Sequence, residues 1–322
     1  MNPVQRRSVE EGRAAHFVIA ALAAVAIAVL GIFALLGAAT QIPSRKDPQD
    51  PADLLLKAEE VTFDAADGVR LAAWLVHGKG GAPAIILCHD LGGSRSDLLN
   101  SAVILNRAGY RLLLLDFRRH GGSGAARSTL GASERLDVLA AAEYLKNSSR
   151  DKEAPIGGWG VGMGAYALAL AALETPELRA LALDGPYRDI PSEADRRLRA
   201  MLPPPLGLVV PLARLLYDPY FRCRLSEVSL ARRETDLGGR NVLIIAATEW
   251  PDRLAEATAL YDAIPEMADG GRSLLTLRRS GLEGLYAEDR RQYDEAIGNF
   301  FATALPVSGR AASHGPIEVI ER

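Results

Sequence analysis

The residues able to do chemistry in this chain are few, and their spacing argues against most chemistries. Five histidines occur, His16, His77, His89, His120 and His314, so none lies between residues 121 and 313. His89 closes one apolar run, and Asp116, Arg118 and His120 follow another. Metal sites of the helical kind need histidines spaced as in H-x-x-x-H, and no such pair is present. These four side chains therefore show no metal-ligand spacing of that kind. Cys88, inside an apolar run, and Cys223, in a polar stretch, offer neither a disulfide framework nor a thiolate metal site. No cofactor and no metal is implied. The remaining candidate is the string Gly160-Val161-Gly162-Met163-Gly164, which stands between a strand pattern and a helical pattern.

Those residues are positioned by an alternation of short apolar runs and longer amphipathic ones. Ala58–Ala65 and Val69–His77, joined at Asp67-Gly68, read as a β-hairpin. Pro83–His89 is apolar throughout, as expected of a strand buried on both faces. The pattern continues through helix Ser96–Ala108, strand Tyr110–Phe117, helix Ala132–Leu145, strand Ala154–Gly158, helix Met163–Glu174 and strand Ala180–Asp184. Strands separated by helical segments predict right-handed βαβ units in one mostly parallel, doubly wound sheet. Between Ile190 and Gly239 the alternation breaks around Pro203-Pro204-Pro205, Pro211 and Pro219, and this stretch is expected to be an insertion capping the sheet's carboxyl edge. Strand Asn241–Ala247, helix Arg253–Ala263, strand Ser273–Arg278 and helix Asp289–Ala304 complete the domain, expected over residues 56–304. Residues 305–322 form a tail without a period.

Upstream, residues 17–39 (FVIAALAAVAIAVLGIFALLGAA) contain no charge. About 20 apolar residues at roughly 1.5 Å each cross a hydrocarbon core of about 30 Å, so this stretch is expected to be an uncleaved membrane anchor in contact with lipid. A long signal peptide cut after Gly37-Ala38-Ala39 is the competing reading. Residues 1–16 precede it, and residues 40–55, with Pro43, Pro48 and Pro51, read as a linker. Arg6, Arg7 and Arg13 before the span, against Arg45 and Lys46 after it, lean toward an exported domain.

Composition excludes some functions. With 48% hydrophobic and 24% charged residues the chain can bury a large core, while a net charge of −3 and scattered Lys and Arg give nucleic acid no basic face to bind.

The strings DGVRLAAWLV (67–76), HDLGGS (89–94), AGYRLLLLDFRRHGGS (108–123), TLGASERLDVLAAAEYL (129–145) and GWGVGMGAYA (158–167), in this order, resemble the α/β-hydrolase superfamily. The resemblance is to its membrane-anchored bacterial members, similar to dienelactone hydrolases and prolyl-oligopeptidase-like serine hydrolases. It implies the α/β-hydrolase fold, and a nucleophilic serine at the centre of G-x-S-x-G. Gly162 stands there instead. The family's histidine would lie in the loop reading RRSGLEGLY, where Leu282 takes its place, and Leu cannot accept a proton. The acid position falls on Trp250, with Glu249 and Asp252 as neighbours. The oxyanion loop would be Asp90 and Leu91 with the backbone N–H of Met163, where a carboxylate at Asp90 either opposes developing negative charge or points into solvent.

The resemblance thus implies the fold while the triad it requires is missing. The first expectation is a non-catalytic scaffold or accessory subunit that binds a protein partner, for example within a membrane complex. The alternatives are an ester or amide hydrolase in which Asp90 or Glu283 activates water, and a small-molecule binder whose vestigial pocket is lined by Trp250, Leu282 and Met163.

Overall fold

The computed structural model describes residues 3–44, 49–149, 152–266, 271–281 and 284–307, with side chains from His16 onward. Eight strands form one sheet: β1 (Ala58–Asp64), β2 (Arg70–Val76), β3 (Ala84–Cys88), β4 (Arg111–Asp116), β5 (Ile156–Val161), β6 (Leu178–Asp184), β7 (Asn241–Ala247) and β8 (Arg272–Leu277). Their order is β1-β2-β4-β3-β5-β6-β7-β8. β2 runs antiparallel to both of its neighbours, and every later pair is parallel. The sequence explains which strands are central. Every residue of β3 and β5 is buried, whereas β1 alternates between intermediate and exposed positions as an edge strand does.

The helices are α1 (Pro3–Thr40), α2 (Leu99–Ala108), α3 (Glu134–Ser148), α4 (Met163–Glu174), α5 (Ile190–Met201), α6 (Val209–Arg214), α7 (Tyr217–Phe221), α8 (Pro251–Ala263) and α9 (Ala287–Ala304). α4 has ten buried residues, from Met163 to Ala172, because its run of Ala and Leu packs between the sheet and α3. One core cluster joins Ile85, Leu114, Trp159 and Ile245 from the strands to Leu99 of α2 and Phe301 of α9.

Beyond shifts of a few residues at element ends, three differences from the sequence reading have a structural cause. The strand expected to stop at Gly158 continues to Val161 through Gly160, and the glycines there are packing requirements: a Cβ on Gly158 would stand 2.4 Å from a Leu168 methyl. The domain extends past both expected ends, since Pro51 is buried, and Leu305 accepts the Tyr110 hydroxyl at 3.0 Å while Val307 is buried. The insertion expected over 190–239 divides. Ala194–Arg222 forms a compact unit with Met1–Gln41, while residues 223–239 belong to the unit that carries the sheet. The rest of the tail, from residue 308, lies outside the described residues.

In the first unit, His16–Thr40 of α1 is a 25-residue stretch containing an 18-residue window of mean hydropathy 2.9, long and apolar enough to cross a membrane by length and composition. Of the linker, residues 42–44 pack onto the loops after β3 and β4 in the second unit: Ser44 Oγ donates to the Gly93 carbonyl (3.0 Å) and accepts the Gly121 N–H (3.1 Å).

Candidate functional site

The carboxyl edge of the sheet is built around the turn from β5 into α4. Gly160 and Gly164 are there because the backbones meet: a Cβ on Gly160 would lie 2.6 Å from the Gly164 carbonyl, and one on Gly164 would lie 2.4 Å from the Cys88 carbonyl. Between them Gly162 has φ 55° and ψ −114°, a conformation that costs a residue with a side chain of order 1–3 kcal/mol. Its N–H donates to the Asp184 carbonyl (2.8 Å) and its carbonyl accepts from Tyr166 (3.1 Å), so the turn is fixed from both sides. This is a tight strand-turn-helix elbow with a glycine, which has no side chain, at its centre.

The N–H of Met163, first residue of α4, donates to Asp90 Oδ1 at 2.7 Å. A helix N-terminus attracts negative charge through its open N–H groups and its dipole. Here the half-buried Asp90 supplies that charge from within the chain, rather than pointing into solvent or waiting for a reacting oxygen. Leu91 is buried beside it, and the Met163 side chain is fully buried with its Sδ 3.6 Å from Ser128 Oγ.

Trp250 stands at the N-terminus of α8 with 49% of its surface exposed, and Leu282 and Glu283 lie outside the described residues. Glu249 is occupied on the surface: it takes Arg279 Nε and the Tyr286 hydroxyl, each at 2.8 Å, and these bonds hold its carboxyl below the ordinary range.

Two carboxylates that sequence reading missed brace this edge. Asp184, fully buried at the end of β6, accepts the Tyr293 hydroxyl (2.6 Å) and the N–H of Gly281 (2.8 Å), the residue preceding Leu282. Its signal was available, as the charge closing the apolar run ALALD at residues 180–184. Glu134, also fully buried, accepts Ser128 Oγ–H, Thr129 Oγ1–H and Gly131 N–H at 2.8 Å, and Thr129 N–H at 3.0 Å. That shell holds the loop carrying Leu130 at φ 54° and Gly131 at φ 98°.

His89, Asp116, Arg118 and His120 fasten loops. His89 Nε2 accepts the Phe117 N–H (3.1 Å), which leaves Nδ1–H to donate to the Asp90 carbonyl (2.7 Å). His120 Nε2 accepts from Gly92 (2.9 Å), Asp116 accepts from Arg95 and Gly122, and Arg118 pairs with Asp137 and Asp67 at 2.6 Å each. Among the described residues, no group of three or more His, Cys, Asp or Glu is placed to hold a metal ion.

Burial, followed by the neighbouring His120, lowers the His89 pKa from 6.5 to about 3. The folded protein therefore holds this ring neutral where the unfolded chain would protonate it. Unfolding takes up a proton below pH 6.5, and His89 should cost the fold about 1.4 kcal/mol per pH unit on acidification, about 2 kcal/mol at pH 5. In denaturant titrations, His89→Gln should be less stable than the parent at pH 8 but lose less stability between pH 8 and pH 5. Parallel pH profiles for the two would refute the assignment.

A twisted eight-stranded sheet of this order with a strand-turn-helix elbow after its fifth strand defines an α/β-hydrolase fold. The model of the Hydrolase_4 family, described as serine aminopeptidase S33, matches residues 82–264, and the chain belongs to that family. An uncharacterized protein of Mycobacterium tuberculosis is 29% identical over 251 residues, covering 74% of this chain and 84% of its own length. An esterase of Pyrococcus furiosus superimposes with a TM-score of 0.63 at 21% identity, covering 82% of this chain and 97% of that one. The dienelactone hydrolase of Anabaena variabilis superimposes at 0.53 with 17% identity over 78% and 99% of the two chains. At these identities the two solved structures speak for the fold alone.

Proposed function

We propose that this chain is a membrane-anchored α/β-hydrolase-like protein that carries out no hydrolysis and acts as a scaffold or accessory subunit for a protein partner. The observation that supports it most is the bond from Met163 N–H to Asp90 Oδ1, 2.7 Å long, beside an elbow whose central residue is Gly162. Acyl transfer needs a nucleophile and an open set of donors for the oxyanion. In this chain the first is missing and one donor of the second is already bonded to a fixed negative charge. Gly160 and Gly164 keep the elbow close-packed, so the fold is maintained where the chemistry is not. The apolar stretch of α1 supports the anchor, and the arginines preceding it favour a domain on the exported side.

The test is turnover by the detergent-solubilised full chain over a panel of p-nitrophenyl esters and amides, with labelling by a fluorophosphonate probe. Neither should exceed the heat-denatured control. Ester hydrolysis that disappears in Gly162→Trp, where the added ring would fill the turn, would overturn the proposal.

A further inference from the structure

The unit formed by α1 and residues 194–222 has a covered side and a bare one, and the division follows the chain. From Phe17 to Ala28 every α1 residue is exposed, whereas Leu36 and Thr40 are fully buried and Ala39 is 3% exposed. Tyr220 is responsible for much of this cover. Its ring meets Phe33 edge-on at 5.5 Å, and its hydroxyl lies 2.8 Å from Thr40 Oγ1, which also donates to the Leu36 carbonyl. Phe33 to Thr40 is about 10 Å of helix, so Tyr220 lies alongside the last two turns of the apolar stretch, and α6, shortly before it in the chain, also touches α1. About 20 residues counted from Phe17, enough to cross the hydrocarbon core, end near Leu36. Tyr220, packed at Phe33–Thr40, is then level with the boundary between acyl chains and headgroups.

The outer surface of the segment leading to Tyr220 has the composition such a boundary selects. Leu206, Leu208, Leu212 and Leu215 are 50%, 81%, 58% and 78% exposed. Leu208, Leu212 and Leu215 follow the i, i+4, i+7 spacing of one helical stripe, while Val210, Ala213 and Tyr217 turn inward and are buried. From Met201 to Leu216 the only charged residue is Arg214, which pairs with Asp195. Arg196, Arg197 and Arg199 precede the stretch and Arg222 follows it, a flanking charge that suits anionic headgroups. Its prolines and its sixteen residues prevent it from crossing a bilayer itself.

We propose that residues 201–216 are a second membrane contact, lying in the plane of the leaflet that holds the carboxyl end of α1 with their leucines among the lipid chains. This rests on the reading of α1 as a span. Lipid is the occupant the structure favours, because the leucine stripe belongs to the same compact unit as the stretch of α1 that would cross the bilayer and leads directly to Tyr220, which packs at the end of that stretch. Two attachments would hold the unit's orientation at the membrane surface, whereas a lone helix leaves rotation about its axis free.

The experiment uses the full chain with Cys223→Ser, leaving the buried Cys88, reconstituted into phosphatidylcholine–phosphatidylglycerol vesicles. An environment-sensitive fluorophore is attached at single cysteines replacing Val25, Leu208, Leu215 or Lys152, and quenched by lipids spin-labelled at shallow or deep acyl positions. Val25 should be quenched most by the deep label and Lys152 by neither. Leu208 and Leu215 should each lose about half of their emission to the shallow label and roughly twofold less to the deep one, the depth expected of an interfacial helix. Quenching at Val25 with none at Leu208 and Leu215 would overturn the second contact and leave the anchor standing. If those two sites are shielded from both water and lipid, a second copy covers the stripe and the proposal fails. No quenching at Val25 would remove the anchor and, with it, this proposal.

Discussion

Gly164→Ala is expected to destabilise the fold by about 3–5 kcal/mol, near the top of the range for single substitutions and beyond ordinary overpacking. A Cβ there would lie 2.4 Å from the Cys88 carbonyl, 2.6 Å from that of His89 and 2.7 Å from the Cys88 carbonyl carbon. All three are backbone atoms at the end of β3, a central strand hydrogen-bonded on both sides to β4 and β5. No rotamer change relieves such a contact. Either α4 lifts from the sheet, breaking the packing of a helix with ten buried residues, or β3 loses its register. Gly298→Ala in α9 is the internal control, since a Cβ there meets nothing within 4 Å. Helix propensity and reduced unfolded-chain entropy should make that variant about 0.5–1 kcal/mol more stable. Urea unfolding of the detergent-solubilised chain, followed by circular dichroism, reads both. If the two variants shift in the same direction, the close contact does not govern the position.

This contrast also marks what could be read from the sequence. β7 and α4 have the bounds their patterns predict, because an apolar run of strand length and a helical period are local properties of the chain. The end of β5 was not legible: past Gly158 the chain looks like a loop until the backbone of α4 is seen against Gly160. The absence of a hydroxyl at Gly162 was legible, since the elbow motif is continuous in sequence. The position of Asp90 was not, because its partner Met163 is 73 residues away and nothing in composition aims a carboxylate. Asp184 is a similar case, meeting Tyr293 across 109 residues, and Thr40 meets Tyr220 across 180. Periodicity finds elements, whereas bonds between distant loops depend on how those elements are stacked.

If Asp90 plugs the oxyanion site, then restoring the serine and histidine alone should fail to restore catalysis. Gly162→Ser with Leu282→His would return a hydroxyl to the elbow and an imidazole to the loop beside Gly281, whose N–H the Asp184 carboxylate already accepts at 2.8 Å. The substrate's carbonyl oxygen would still lack one donor for the charge developing on it, because Met163 N–H is held by Asp90 at 2.7 Å. Removal of one such donor typically slows acyl transfer by about 10²–10³-fold. Adding Asp90→Gly to the pair should therefore raise kcat/KM for p-nitrophenyl butyrate, and the rate of fluorophosphonate labelling, by about 10²-fold. Asp90→Gly alone, with no nucleophile, should give no turnover. The added serine has its own cost, about 1–3 kcal/mol from the positive φ at Gly162, so each variant needs its unfolding midpoint measured before its rate is interpreted. A doubly substituted protein that is labelled as fast as the triply substituted one would show that the Asp90 carboxylate yields to a developing oxyanion. The Met163–Asp90 bond would then be an ordinary helix cap rather than a stopper.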